Sequence, residues 1–268
     1  TMESVLPPNP FPTLRKKARM CCIPSTSGTA SEVSRSIVIS DNATGLKHGL
    51  GNMEMMPDIA ICDPEVTASM PAKITAETGM DALTHALEAL ASTRANYVSD
   101  ILATQSAIDI METLPIAYEN GADMHAREIM LQASMVAGMA FTNVSLGIVH
   151  SMAHTLGGMF HVAHGLADAI LLPYIIRYNS TDAKAKEVYD TFAKKVGAEN
   201  LYEAVEKLNK RLNIPSCLQE VIPDEAAFVE KLDEMAALAK ADGCTKTNPI
   251  IPELEEFKEL FMKAYRGE

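Results

Sequence analysis

The segment TGMDALTHALEAL sets Asp81 and His85 four residues apart, so that on a helix a carboxylate and an imidazole can converge on one point. A second group lies in GIVHSMAHTLGGMFHVAHGLADAILLP, which carries His150, His154, His161 and His164. From Ile129 to Ala167 there is no Asp, Glu, Lys or Arg, yet four of the chain's seven histidines fall there. So long an uncharged run is expected to be buried, and a buried polar group without a partner costs roughly 1–3 kcal/mol, so each of these imidazoles needs an acceptor, a donor or a metal. One carboxylate and three neutral imidazoles around a divalent ion leave a net charge near +1 and room for a further ligand, the arrangement of a catalytic rather than a sealed site. His150 and His154 are one turn apart and share a face, so spacing alone allows either to be a ligand.

The elements that position these groups follow from periodicity. Met80, Leu83, Leu87 and Leu90 recur at spacings of three and four, and Pro71 suits a first helical turn. Asp81 and His85 lie off that stripe, but Ala82, Ala86 and Ala89 permit packing on several sides and so can hold the pair inside. A continuous helix would place His150 and His164 roughly 21 Å apart, so the helix must break between them, and Gly157 and Gly158 are the expected breakpoint. Upstream, ARMCCIP, SRSIVISD and MPDIAICDP read as short buried strands, too few for a sheet of their own. TMESVLPPNPFP, with four prolines, reads as a connecting segment entered midway. From Thr181 to Glu268 the chain is charged and helical, and Leu201, Val205, Leu208 and Leu212 mark an amphipathic surface helix. The expected fold is mainly α, with an α/β remnant over 1–68 and an all-helical metal-binding domain over 69–268.

Composition excludes several partners. A net charge of −12 over 268 residues argues against nucleic acid and anionic membranes. Gln132, Asn143 and the imidazoles make membrane insertion of the uncharged run costly. Five cysteines without a CxxC pair read as reduced thiols, and no export signal is read at the start, so the expected location is cytoplasmic. The 16 methionines and absence of Trp describe a helical core rather than a function.

From IPSTSGTASEV through TGLKHGL and GMDALTHALEAL to GIVHSMAHTLGGMFHVAHGLADAILLP, the sequence closely resembles the iron-containing, or group III, alcohol dehydrogenase family. The resemblance implies a dehydroquinate-synthase-like helical domain whose metal ligands are Asp81, His85, His150 and His164. It assigns His154 a place near nicotinamide and substrate, where it is a candidate proton relay. It also implies NAD or NADP contacts at Ser25, Thr26, Gly28, Thr29, Ser34, Val38 and Lys47. The implied chemistry is hydride transfer between a primary alcohol or aldehyde and the nicotinamide, with Fe2+ or Zn2+ as Lewis acid. A homo-oligomer is implied as well. Phe160 and His161 are expected near a partly apolar pocket. The family's α/β domain with its GGGSxxD phosphate loop is expected to be missing ahead of Thr1, which leaves two alternatives: a dehydroquinate-synthase-like lyase that recycles its nicotinamide, or a noncatalytic metal-binding remnant. A helical phosphohydrolase is disfavoured because no His-Asp dipeptide occurs.

Overall fold

The structure is a computed structural model that describes residues 11–40 and 47–268; the Pro-rich connecting segment lies largely outside the described residues. Its centre is helix α1, Ala72–Ala91, which Pro71 precedes in an extended conformation. From Thr75 to Leu90 all but Thr78 are buried, because Ala76, Ala82, Ala86 and Ala89 leave room for neighbours on several flanks. Helices α2, Tyr97–Glu119, α3, Met124–Val144, and α5, His164–Asn179, close around it. Both intervening starts are capped as their sequences require. Asn96 and Ser99 form a capping box for α2, and Asp123 accepts from the Ala126 N–H at the head of α3. Buried Arg127 ties α3 to the head of α1 by donating to Thr75 Oγ1 at 2.7 Å and to the Met70 carbonyl at 2.9 Å.

The turn between His150 and His164 differs from expectation. Helix α4, Ile148–Met159, runs straight through Gly157 and Gly158, and the chain reverses over Phe160–Ala163, with His161 left-handed at φ 55°. Gly157 is buried, so packing outweighs the ~1 kcal/mol by which glycine disfavours a helix interior. The break is fixed instead by Phe160, whose ring packs against Phe228 with centroids 5.7 Å apart. After the turn α5 comes very close to α1: a Cβ at Gly165 would stand 2.1 Å from the Glu77 carbonyl oxygen and 3.2 Å from Asp81 Cβ. Glycine here brings the two helices together beside the candidate ligands.

The tail forms α6, Ala183–Lys195, α7, Leu201–Arg211, α8, Glu225–Ala241, and α9, Leu254–Arg266. Leu201, Val205, Leu208 and Leu212 are buried, as the amphipathic pattern predicts. The three apolar runs do form strands, β1, Cys21–Cys22, β2, Ser36–Ser40, and β4, Ile59–Ala60: β1 pairs in parallel with β4, and β2 pairs antiparallel with a further strand outside those runs, β3, Lys47–Gly51. Except at Leu50 they are not buried, however. Val38 is 50 % and Ile59 44 % exposed, because each two-stranded sheet has a face that no described element covers. No single described helix is long and apolar enough to cross a membrane, and α3 with α4 would do so only as a pair bent by 105°. The molecule is therefore mainly helical, with its strands confined to the N-terminal quarter.

Candidate metal centre

Asp81 and His85 face inward from the middle of α1, only 2 % and 5 % exposed, so they are not the solvated surface pair that a helical wheel would allow. Three imidazoles point Nε2 at a single oxygen. Asp81 Oδ1 lies 3.4 Å from His85, 3.5 Å from His150 and 3.8 Å from His164. The His85 ring is held between Phe141, at a centroid distance of 4.4 Å, and His150, at 4.7 Å. Asp81 Oδ1 and His150 Nε2 are buried without a hydrogen-bond partner. Two orphaned atoms at this point, each costing about 1–3 kcal/mol, fit a divalent cation shared by a carboxylate and imidazoles.

Sequence reasoning placed four histidines in the buried stretch, but His161 is exposed on the turn and takes no part. Phe160 faces Phe228 and is not among the cavity walls, so neither residue shapes the pocket as expected. Three carboxylates around the site went unnoticed. Glu88, seven residues after Asp81 and on the same face of α1, accepts from His150 Nδ1 at 2.6 Å and from the Val149 N–H at 2.8 Å. Asp242, at the end of α8, accepts from His154 Nδ1 at 2.8 Å. Asp168, one turn after His164, lies with Oδ2 3.4 Å from His164 Nε2. Spacing could have disclosed Glu88 and Asp168; no local signal points to Asp242.

Electrostatics separate the groups. Burial lowers His85 to about 4 and His164 to about 3, in spite of the pull of Asp81. Burial opposes charge on His150 too, but Asp168, Glu88 and Asp81 raise it well above an ordinary histidine. Burial would raise Asp81, yet the nearby imidazoles of His85, His150 and His164 hold it below the usual carboxylate range. Burial pushes Asp168 well above that range, helped by the charges of Asp81 and Glu88. Asp242, although half-buried, is kept at about 2 chiefly by a hydrogen bond from His154.

Glu88 fixes which His150 nitrogen faces the centre, since a carboxylate on Nδ1 leaves Nε2 directed at Asp81. Glu88→Gln removes that charge while keeping the shape. It is expected to weaken metal binding by ~10–100-fold, the usual effect of losing such an orienting partner, as measured by chelator competition.

The centre forms one end of a cavity of about 900 Å³ whose other wall is the β2–β3 hairpin. Thr29, Ser34 and Val38 line it, as do His154 and Asp242. Ser25 and Thr26 lie outside its walls, and Gly28 packs against α1, where a Cβ would meet Thr78 Cβ at 2.7 Å. The Lys47 backbone belongs to β3, and its side chain lies outside the described residues.

With this geometry in view, comparison with known proteins gives a consistent result. The C-terminal model of the Fe-containing alcohol dehydrogenase family matches residues 75–265, and the model described as iron-containing alcohol dehydrogenase matches residues 4–64. The chain belongs to the iron-containing alcohol dehydrogenase family, a family of oxidoreductases. It is 42 % identical to an NADPH-dependent butanol dehydrogenase of Clostridium saccharobutylicum, over 100 % of this chain and 70 % of that protein. It is 41 % identical to aldehyde-alcohol dehydrogenase 2 of Entamoeba histolytica, over 95 % of this chain but only 32 % of that longer protein. A solved iron-containing alcohol dehydrogenase from Thermococcus thioreducens superposes with a TM-score of 0.90 at 36 % identity, covering 97 % of this chain and 68 % of that one. The helical fold is thus that of the dehydroquinate-synthase-like C-terminal part of these enzymes.

Proposed function

We propose that this chain is the metal-binding catalytic part of an alcohol dehydrogenase or aldehyde reductase. It would pass hydride between a primary alcohol or aldehyde and NAD(P), with Asp81, His85, His150 and His164 holding Fe2+ or Zn2+. The observation that carries this reading is the convergence of three imidazole nitrogens on Asp81 Oδ1 at one end of a cavity of about 900 Å³. When bound, the ion supplies Lewis acidity toward an alcohol or carbonyl oxygen. The chain's own residues do the rest. Glu88 orients His150, Phe141 and His150 clamp the His85 ring, and the hairpin with Thr29 and Ser34 closes the cavity around a cofactor. His154, its Nδ1 held by Asp242, has Nε2 left to hold or move a proton at the cavity surface. We divide the chain into a nucleotide-binding portion over 1–68 and a catalytic portion over 69–268. Five cysteines, free in the structure, and a net charge of −12 support a protein of the cytoplasm acting on small molecules, and its assembly into a homo-oligomer rests on the family resemblance alone.

Dehydrogenases among the relatives favour redox turnover over the lyase alternative. Protein loaded with Fe2+ or Zn2+ is expected to oxidise NADPH or NADH in the presence of a short primary aldehyde and to stop when the ion is chelated, followed at the nicotinamide band. Intact metal with no net change in nicotinamide would refute the dehydrogenase reading and leave the lyase or the noncatalytic remnant.

A further inference from the structure

Asp168 stands out as a buried acid without a hydrogen bond, its Oδ2 lying 3.4 Å from His164 Nε2. It is 0 % exposed on α5, and neither of its oxygens makes a hydrogen bond among the described residues. Burying a carboxylate uncompensated is expensive, several kcal/mol for the charged form, and the protein could have avoided this with an asparagine of the same shape. The position of Asp168 explains the choice. His164 opens α5, and Asp168, one turn later, shares its face. One donor atom from each of Asp81, His150, His164 and Asp168 can be chosen so that all four lie within 4.8 Å of one another, which one ion can satisfy together. His85 stands 3.4 Å from Asp81 Oδ1 but falls outside this tightest group.

Resting on the metal-site reading above, we infer that Asp168 is itself a ligand, the second carboxylate of a five-donor centre formed with Asp81, His85, His150 and His164. Two carboxylates neutralise a 2+ ion, where Asp81 alone leaves +1. They also shift the donor set toward oxygen, which favours Mn2+ and Fe2+ relative to its effect on Zn2+. The two Asp168 oxygens then lose their orphan status, and α5 contributes two donors from one turn just as α1 does with Asp81 and His85.

The test titrates the metal-free protein with Mn2+, Zn2+ and Co2+ salts, in the parent and in Asp168→Asn and Asp168→Ala. Asparagine preserves the volume and relieves the buried acid, so the first variant is expected to fold at least as stably as the parent. Its Mn2+ dissociation constant should rise at least about tenfold, a larger factor than the rise in its Zn2+ dissociation constant. The visible Co2+ band should intensify in both variants as the coordination number falls, a change that loss of a merely orienting partner would not produce. Mn2+ affinity within twofold of the parent, together with an unchanged Co2+ spectrum, would overturn the role of Asp168 alone. A parent chain that binds none of the three ions would instead overturn the metal-site reading as a whole.

Discussion

His150→Ala combined with His164→Ala is expected to leave a folded protein that retains no stoichiometric Fe2+ or Zn2+ and has lost at least about a thousandfold in aldehyde reduction. The two rings come from opposite sides of the α4–α5 turn and supply two of the three nitrogens around Asp81 Oδ1. Sealed structural zinc sites with four ligands bind the ion with roughly 10–16 kcal/mol; on that scale, removing two donors costs several kcal/mol, or more than about a thousandfold in affinity. Lewis-acid stabilisation is itself worth several kcal/mol of barrier, so turnover falls by a comparable factor. Folding should survive. Glu88 keeps its hydrogen bond from the Val149 N–H after His150 is gone, and His164 is only partly buried. His161→Asn is the control, since His161 lies exposed between the two and asparagine tolerates its left-handed backbone. Elemental analysis after dialysis reads the outcome: full metal content in the double variant would end the case for this centre, and metal loss in the control would show that the turn itself was at fault.

The legible parts of the molecule were those with a strong period or a strong incongruity. The Met80, Leu83, Leu87 and Leu90 stripe gave α1, and the mixed charge of 201–212 gave α7. The imidazoles were conspicuous because they interrupt a run with no charge, and that incongruity survives folding for His150 and His164. The helix break was misplaced because glycine marks what the backbone permits, while the actual reversal depends on Phe160 meeting Phe228 across 68 residues of sequence. The strands were legible as strands but not as exposed ones, since β-branched content reports the pleated conformation and not what covers it. Glu88 was passed over as one acid in a helical pattern, although its i, i+7 relation to Asp81 put it on the ligand face. Asp242 could not have been found at all: it meets His154 only because α8 packs against α4.

Metal affinity is expected to climb as pH rises from about 6 to 7.5, by roughly one decade per pH unit for each proton displaced. The sign follows from which groups hold a proton before the ion arrives. His85, at about 4, and His164, at about 3, are already neutral through this range, so the ion displaces nothing from them. His150 is the reverse. Hydrogen-bonded to Glu88 at 2.6 Å and facing Asp81 at 3.5 Å, it keeps its proton at neutral pH and must release one from Nε2 before that nitrogen can bind. Proton and ion therefore compete at one atom, and raising the pH favours the ion. Ionisation of Asp168, which burial holds in its acid form, would carry the slope toward two. Below about 4 the proton also takes His85, so a second, steeper loss of metal is expected there. Titration calorimetry in buffers of different ionisation enthalpy counts the released protons directly. A count of zero at pH 7, with affinity flat from 6 to 7.5, would mean that His150 enters the reaction already neutral and that Glu88 does not control it.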